Sequence, residues 1–498
     1  MRIRAGALAA AALLITASAR AQETVPAKMS LEQALDIARR NNPTYLQAAN
    51  NMDVADWDVR QAYGQLLPSA SVSTGVSWQG AGNQQLVGGL TLGQLGFGSQ
   101  PSYYFSSYQV GLNYNLSMST ILGASQAKAQ RRATGARMRQ AEATLVQQVT
   151  QAYLEVLREQ EAVRLAQQQV ENSQYNLRLA QGHLDVGTAT PIDVGQAQVQ
   201  LGRNKVSVLQ AQNALATARM RLLQQLGVSV DQHVELTTTF ELTEPTWTAD
   251  SLYVMAVRNN PGLAAARSTK KAADVSVSSA RSAYYPSLSL SAGWSGFTQQ
   301  ASNTNLQMAQ AQAQIANEVS QCNTLNDLYS RLADPLPLMD CTQYRLTDAT
   351  RQAIIDANNQ FPFKFQHSPP RASLSISLPV FQGLTRQRNL EAAKAQREDD
   401  AEQLRDQELA LRANVAIDLA TVKTDYQSAL LEESNRSLAE QQLRLARERY
   451  QLGAITFVDL VNAQTVFAQA DRDRSAAIFA YHDAVAALEA LVGTSLRN

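Results

Sequence analysis

The strongest constraint on this chain is that it is written twice. Ala38-Arg39-Arg40-Asn41-Asn42-Pro43 returns 218 positions later as Ala256-Val257-Arg258-Asn259-Asn260-Pro261, and Pro68-Ser69-Ala70-Ser71 returns at that offset as Pro286-Ser287-Leu288-Ser289. Further along the offset is 266. Leu177-Arg178-Leu179-Ala180 matches Leu443-Arg444-Leu445-Ala446, while Gly187, Thr190, Asp193, Ala197 and Gln198 match Gly453, Thr456, Asp459, Ala463 and Gln464. The change of offset locates an insertion of 48 residues in the second copy, between Pro286 and about Leu378. A tandem duplication must fold as two versions of one unit, so each element has to be found in both.

Each copy has one internal order. Asn42-Pro43 and Asn260-Pro261 read as helix starts, with Asn at the N-cap and Pro in the first turn. Pro68 and Pro286 end those helices. Alternation of period two follows, the signature of a strand. Ala70, Val72, Thr74, Val76 and Trp78 interleave with serines and Gly75, and Tyr108, Val110, Leu112, Tyr114 and Leu116 interleave with Gln109, Gly111, Asn113 and Asn115. The second copy repeats this with Leu288, Leu290, Ala292 and Trp294, then with Leu374, Ile376, Leu378 and Val380. Expected strands are about 69–78, 108–117, 287–296 and 372–381. Two runs rich in Ala, Gln, Arg and Leu come next, about Ser125–Val186 and Arg386–Leu452, each long enough for a helix of about 95 Å. Gly187 and Gly453 break them. Helices at about Pro191–Leu226 and Thr456–Leu491 return, making a helical hairpin in each copy (about 123–226 and 386–492).

The N-terminus predicts export. Arg2 and Arg4, an apolar stretch from Ala5 to Ala17, and Ala19-Arg20-Ala21 form a signal-peptide pattern over residues 1–21. The organisation is then residues 1–21, a first repeat at 22–248 that ends in a linker at 227–250, and a second repeat at 249–498 with an enlarged loop at about 297–371. An exported chain without a second long apolar run has to enter a membrane by strands rather than helices. Strands of about ten residues, apolar on one face and Ser/Asn/Gln/Gly on the other, match a barrel with lipid outside and water inside. The same alternation also describes a soluble sandwich with one wet face. Bacterial barrels need at least ~8 strands, and open edges are not tolerated in lipid. Four strands therefore require other copies.

Several function classes drop out. With 43 basic against 43 acidic residues the net charge is zero, which argues against bulk nucleic-acid binding. His183, His233, His367 and His482 have no metal-ligand spacing, two cysteines are too few for a four-cysteine zinc site, and no GxSxG, Walker A or HExxH motif occurs. The glycines between Gly88 and Gly98 read as a loop between strands. No enzyme activity, metal or cofactor is expected. Trp78, Tyr108, Tyr114, Trp294 and Phe381 lie near strand ends and read as an interfacial girdle.

Together the Asn-Asn-Pro helix starts, the Pro-Ser strand entries, Leu378-Pro379-Val380-Phe381 and the tips Val186-Gly187-Thr188 and Leu452-Gly453-Ala454 resemble the TolC-type outer-membrane efflux and secretion channels. The resemblance implies a mainly α fold with transmembrane β-strands, in which a homotrimer joins a 12-stranded β-barrel to a 12-helix tunnel in the periplasm. It also implies an exit duct served by a periplasmic adaptor and an inner-membrane transporter of the RND, ABC or MFS type. The competing reading is a trimeric adhesin-like coiled coil with a barrel anchor. Such a chain would carry its strands together at one end.

The resemblance places a periplasmic gate at the tips. Asp459 takes the position of an acidic ring, Asn462 stands where the family has a second acidic residue, and Ile455 stands where it has an arginine that ties the closed state. Tyr450 and Asp193 resemble its gate network. Gly187, Thr190, Gly453 and Thr456 mark the tips where an adaptor would dock. Three Asp459 carboxylates in a narrow pore would raise one another's pKa and attract cations. Alternatively, Asp193 and Asp459 simply sit at helix N-termini, where an anion is favourable. Cys322 and Cys341, both in the enlarged loop of an exported chain, are expected to form a disulfide.

Overall fold

The computed structural model describes residues 26–82, 100–231, 234–238, 240–334 and 336–497. The signal-peptide pattern, the glycine-rich loop between Gly88 and Gly98, and His233 lie outside them. The first copy runs β1 (Lys28–Met29), α1 (Leu31–Asn41), α2 (Pro43–Gly64), β2 (Ser69–Gln79), β3 (Tyr103–Ser117), α3 (Met118–Asp185), α4 (Pro191–Leu226) and β4 (Glu235–Leu236). The second runs α5 (Ala249–Asn259), α6 (Pro261–Ser282), β5 (Ser287–Ala301), α7 (Asn305–Ser330), α8 (Asp348–Asn358), β6 (Gln366–His367), β7 (Arg371–Ser377), α9 (Thr385–Gln451) and α10 (Phe457–Val492). These elements form two compact units, one helical (within 1–60, 124–280 and 387–498) and one built on the sheet (within 61–123 and 281–386). Each copy contributes to both units, so the compact units cut across the repeats.

In the helical unit, α3 and α9 have 68 and 67 residues, about 100 Å each. The repeated Asn-Asn-Pro motif fixes where each hairpin ends. Asn42 Oδ1 accepts from the Tyr45 amide at 3.0 Å, capping α2, while its Nδ2 donates to the Gln225 carbonyl at 2.8 Å in the last turn of α4. Asn260 does the same with the Leu263 amide (2.7 Å) and the Leu491 carbonyl (2.8 Å). Gly227 and Gly493 then close α4 and α10 with φ of 73° and 78°. A Cβ on Gly227 would lie 2.3 Å from the Asn41 carbonyl oxygen, and one on Gly493 would lie 2.5 Å from that of Asn259. Only glycine permits this approach. Two apolar cores flank the seats: Met29, Val149, Tyr153, Leu222 and Leu226 in the first copy, and Leu252, Val415, Tyr481, Val485 and Leu488 in the second. By length and composition alone α10 is long and apolar enough to cross a membrane, although it holds no run of about 18 consecutive apolar residues. Its apolar residues Tyr481, Val485, Leu488 and Val492 belong to the second of these cores.

In the other unit the long strands make one antiparallel sheet in the order β2-β3-β5-β7, with β6 pairing a short stretch of β5. The register brings Ala70, Leu112, Ala292 and Ala372 into one row and Ser69, Asn113, Ser291 and Ser373 into the next. One face is therefore apolar and the other polar, as the alternation requires. The apolar face is bare within the chain: Val72, Val76, Leu374 and Ile376 are all at least 65% exposed. Neither β2 nor β7 has a second strand neighbour among the described residues.

Strand limits depart from expectation in three places. β3 begins at Tyr103, where the consecutive rings of Tyr103, Tyr104 and Phe105 break the period-two pattern. β5 runs on to Ala301, because its polar end Gln299-Gln300-Ala301 still pairs with Tyr103–Phe105. β7 stops at Ser377 rather than about 381, since Pro379 lacks a ladder donor and Gly383 and Leu384 adopt positive φ. Phe381 thus lies beyond the strand. Tyr108 lies over Gly296, and its hydroxyl bonds His367 Nδ1 at 2.6 Å.

The second-copy insertion is a folded element. Cys322 and Cys341 form a disulfide. Beside it, Asn326 exchanges two 2.8 Å hydrogen bonds with the Met339 backbone, closing the same loop a second time. Asn358 ties α8 to the end of β5 through the Ala301 amide (2.8 Å) and carbonyl (2.9 Å).

The hairpin tips as a candidate gate

Both tips are built by the same local chemistry. At the end of α3, Gly187 turns at φ 79° and the Thr188 amide donates back to the His183 carbonyl at 2.8 Å; at the end of α9, Gly453 turns at φ 73° and the Ala454 amide donates to the Arg449 carbonyl at 2.8 Å. Thr190 and Thr456 then cap the returning helices. The Thr190 amide and hydroxyl both donate to Asp193 Oδ2 at 2.8 Å, and those of Thr456 donate to Asp459 Oδ2 at 3.0 and 2.7 Å. In return the Asp193 and Asp459 amides donate to the threonine hydroxyls at 3.4 and 3.2 Å. These are capping boxes with Asp as the acidic member. Within one chain, both aspartates therefore do what helix-terminus chemistry asks of them.

This bears on the electrostatics of Asp459. The Thr456 hydroxyl, and then its amide, hold the carboxyl below the usual aspartate range. That direction is opposite to the upward shift a ring of like charges would produce. Asp459 and Asn462 are both exposed and stand one turn apart on α10.

The other candidates converge. Tyr450 is buried where the two tips meet, its ring 5.2 Å from His183 and 5.8 Å from Phe457. Ala180, Ala197, Leu443 and Leu460 complete this small core, and Ile455 packs against it. Burial, and secondarily the charge of Asp193, raise the Tyr450 phenol, whose oxygen has no hydrogen-bond partner among the described residues. Tyr450 and Asp193 are thus brought together, while Asp459 and Asn462 share a separate exposed face. Higher on the hairpins, polar groups link helices in ways no motif announced. Asn176 donates to Gln464 at 2.6 Å, Arg447 to Asn172 at 3.0 Å, and Arg436 pairs with the buried Asp471 at 3.0 Å. No group of three or more His, Cys, Asp or Glu residues that could hold a metal occurs among the described residues.

A sheet whose bare face is apolar, joined in one chain to two helical hairpins whose longer arms are about 100 Å, fits the class of outer-membrane channel subunits. A family profile for outer membrane efflux proteins matches residues 34–228 and 347–494. The chain belongs to that family, and its place is the outer membrane. It is 26% identical over 267 residues to the outer membrane protein TolC of Vibrio cholerae (53% of this chain, 58% of that protein). It is 24% identical over 273 residues to the probable efflux pump outer membrane protein TtgC of Pseudomonas putida (53% of each). The chain thus spans little more than half the length of these relatives. The solved structure of the Campylobacter jejuni CmeC outer membrane channel has the same fold, with a TM-score of 0.69 at 13% identity, covering 94% of this chain and 87% of that one.

Proposed function

We propose that the protein is the outer-membrane exit duct of a tripartite efflux system, conducting passively what an inner-membrane transporter delivers through a periplasmic adaptor. The observation that carries this reading is the sheet. Its apolar face is exposed, and its outer strands β2 and β7 have no second strand neighbour among the described residues, a combination that lipid does not tolerate. Three copies would pair those edges into a closed 12-stranded barrel, whereas two would give eight strands, a size filled by its own side chains. The family's known role, not any catalytic constellation, directs the reading to transport rather than enzymology. The adhesin-like alternative is disfavoured because the strand pairs are separated in sequence by an entire hairpin yet make one sheet.

The tips serve as adaptor-docking points and periplasmic gate in this reading, with Gly187, Thr190, Gly453 and Thr456 fixing the turns. In this reading Asp459 and Asn462 line the constriction, while the Tyr450 ring packs the two tips together beside Asp193. Opening requires the tip contacts to separate while the rest of the hairpin stays helical, a two-state change biased by the adaptor. The decisive experiment has two arms. A deletion strain should become sensitive to exported small molecules while still secreting its proteins; the reverse phenotype would make the duct a protein-secretion channel. Native mass spectrometry should give a trimer. In planar bilayers, Asp459→Ala should weaken cation selectivity and block; unchanged values would leave Asp459 as a helix cap only.

A further inference from the structure

The apolar face of the sheet is bare along most of its length but covered at one place. In register, Thr74, Tyr108 and Gly296 form one row, Val76, Ser106 and Thr298 the next, and Trp78, Tyr104 and Gln300 a third. These rows continue the apolar face of Ala70, Leu112, Ala292 and Ala372 toward the end where β3 begins and β5 ends. There Val76 and Trp78 are 68% and 65% exposed, yet Ser106 and Thr298 are only 4% and 1% exposed. Their cover is the stretch of the enlarged second-copy loop just before β6. The Phe361 ring meets that of Tyr104 at 5.7 Å, and the Phe365 ring meets that of Tyr108 edge-on at 5.0 Å. Residues 361–365 therefore cross the apolar face between those two tyrosines, and the Tyr108 bond to His367 pins the following residues to the same face.

Between the two ring contacts the chain turns tightly. The Lys364 amide donates to the Gln360 carbonyl at 3.0 Å and the Phe365 amide to the Phe363 carbonyl at 3.1 Å. Phe363 is left 80% exposed, with the exposed Lys364 beside it. None of β2, β3, β5, β6 and β7 carries Asp or Glu, and neither occurs between Asp356 and Glu391. No carboxylate of the strands or of this stretch of chain answers that cation.

We propose that residues 361–365 are a lipid-binding strap on the outside of the barrel wall, with Phe363 among acyl chains just below the headgroups and Lys364 on a lipid phosphate. This inference rests on the duct reading, in which the apolar face meets lipid and the loop end of the sheet meets the outer leaflet. The occupant is lipid because the strap lies on one continuous face with Val76, Trp78, Trp294 and Leu374, all at least 52% exposed, whereas further copies are needed at the edges of β2 and β7 rather than on this face. Tyrosine rings below an exposed phenylalanine and a lysine match the membrane–water boundary, where aromatic bodies sit in the apolar zone and an ammonium reaches out of it. A lipid phosphate supplies the anion that the chain itself does not.

A single reporter tests this, since Cys322 and Cys341 are bonded to each other and leave an introduced thiol to be labelled alone. Phe363→Cys carrying an environment-sensitive NBD dye, in protein reconstituted into phosphatidylcholine–phosphatidylglycerol nanodiscs, should be quenched at least twofold by nitroxide-bearing lipids and spared by aqueous iodide. A dye at Ile376→Cys, on the bare apolar face of β7, should also be quenched by those lipids, and one at Leu338→Cys, elsewhere in the enlarged loop, should answer to iodide. Quenching by lipid at 376 but not at 363 overturns the strap and leaves the duct standing. A dye at 363 shielded from both quenchers is covered by protein, which overturns it as well. No quenching by lipid at either 363 or 376 overturns the membrane-facing reading of the sheet, and the strap with it. By native mass spectrometry, Lys364→Gln should retain one phosphatidylglycerol fewer per copy, and an unchanged count overturns the phosphate contact.

Discussion

The two ends of each helical hairpin use the same residue types to opposite purposes. At the base, Gly227 and Gly493 have positive φ and press against the Asn41 and Asn259 carbonyls, beside large apolar cores. At the tip, Gly187 and Gly453 have equally positive φ but nothing within 4 Å of a hypothetical Cβ. The base is over-determined by backbone contacts, and both copies build it with the same asparagine bonds and the same glycine contact. The tip shares a backbone between copies while differing in side chains: Tyr450 and Phe457 in the second stand where the first has Leu184 and Pro191. A hairpin anchored at one end and lightly packed at the other has its low-stability segment where a gate has to move.

Alanine at the four glycines is the sharpest way to break this contrast. Gly227→Ala and Gly493→Ala should each cost about 3 kcal/mol, because the new Cβ overlaps a backbone oxygen that the Asn42 or Asn260 bonds hold in place. Gly187→Ala and Gly453→Ala should cost only about 1 kcal/mol, the penalty of the left-handed conformation alone. Thermal denaturation in detergent reads the difference, and equal losses at both ends would erase the base–tip distinction.

The asymmetry between tips comes next in size. Tyr450→Ala should destabilise the tip locally by about 3 kcal/mol, since it empties the centre of the small tip core. Tyr450→Phe should change stability by less than about 0.5 kcal/mol, because the hydroxyl it removes has no hydrogen-bond partner among the described residues. The readout is the rate of limited proteolysis at the tips. A large loss in the Phe variant would reveal a bond to the hydroxyl made only in the assembly.

The caps should show equivalence instead. Thr190→Ala and Thr456→Ala each remove the same capping box and should cost about 1 kcal/mol apiece, followed by helix content on heating. Unequal losses would mean that neighbouring copies lean on one tip more than on the other.

How much of this was readable beforehand follows from the range of the interactions. Period-two alternation and helix-forming composition are both local, so the strands and hairpins were legible from the sequence, and the repeated Gly-x-x-Thr-x-x-Asp marked both tips. Asn42 was legible as a helix cap, yet its second bond to Gln225, 183 positions away, was not, because no local pattern encodes a tertiary partner. Gly227 and Gly493 had a visible signal, since each ends a helix. Their seats on Asn41 and Asn259 became apparent only once the motif and the helix end were placed side by side. The end of β7 was missed because alternation continues through Leu378 and Val380 after the ladder has stopped at Ser377. The role of Asp459 within the chain, a cap held low by Thr456, was one of two readings the sequence left open.

The smallest effect separates base from tip by pH. In α10 near the base, burial outweighs the nearby Arg158 and raises Asp483 to about 6, above its unfolded value of 3.8. A raised folded pKa means that the stability it contributes is complete below 3.8 and lost as pH rises through about 6. At the tip the Thr456 bonds lower Asp459, so its contribution is present above 3.8 and lost as pH falls through the depressed value. Asp483→Asn should therefore raise the melting temperature at pH 7.5 and leave it unchanged near pH 3.5. Asp459→Asn should lower it slightly at pH 7.5, with the difference vanishing in acid. His482, beside Asp483, is pushed down to about 4 by burial and then by Arg497, and its own loss of stability begins only as pH falls from 6.5 through 4. The two windows overlap between about pH 4 and 6, so the Asp483→Asn gain is read on its plateau between pH 6.5 and 8, where His482 contributes no change. If Asp459→Asn instead raises the melting temperature of the trimer at neutral pH, like charges from neighbouring copies outweigh the capping bonds, and the ring at the gate is the dominant electrostatic feature of the tip.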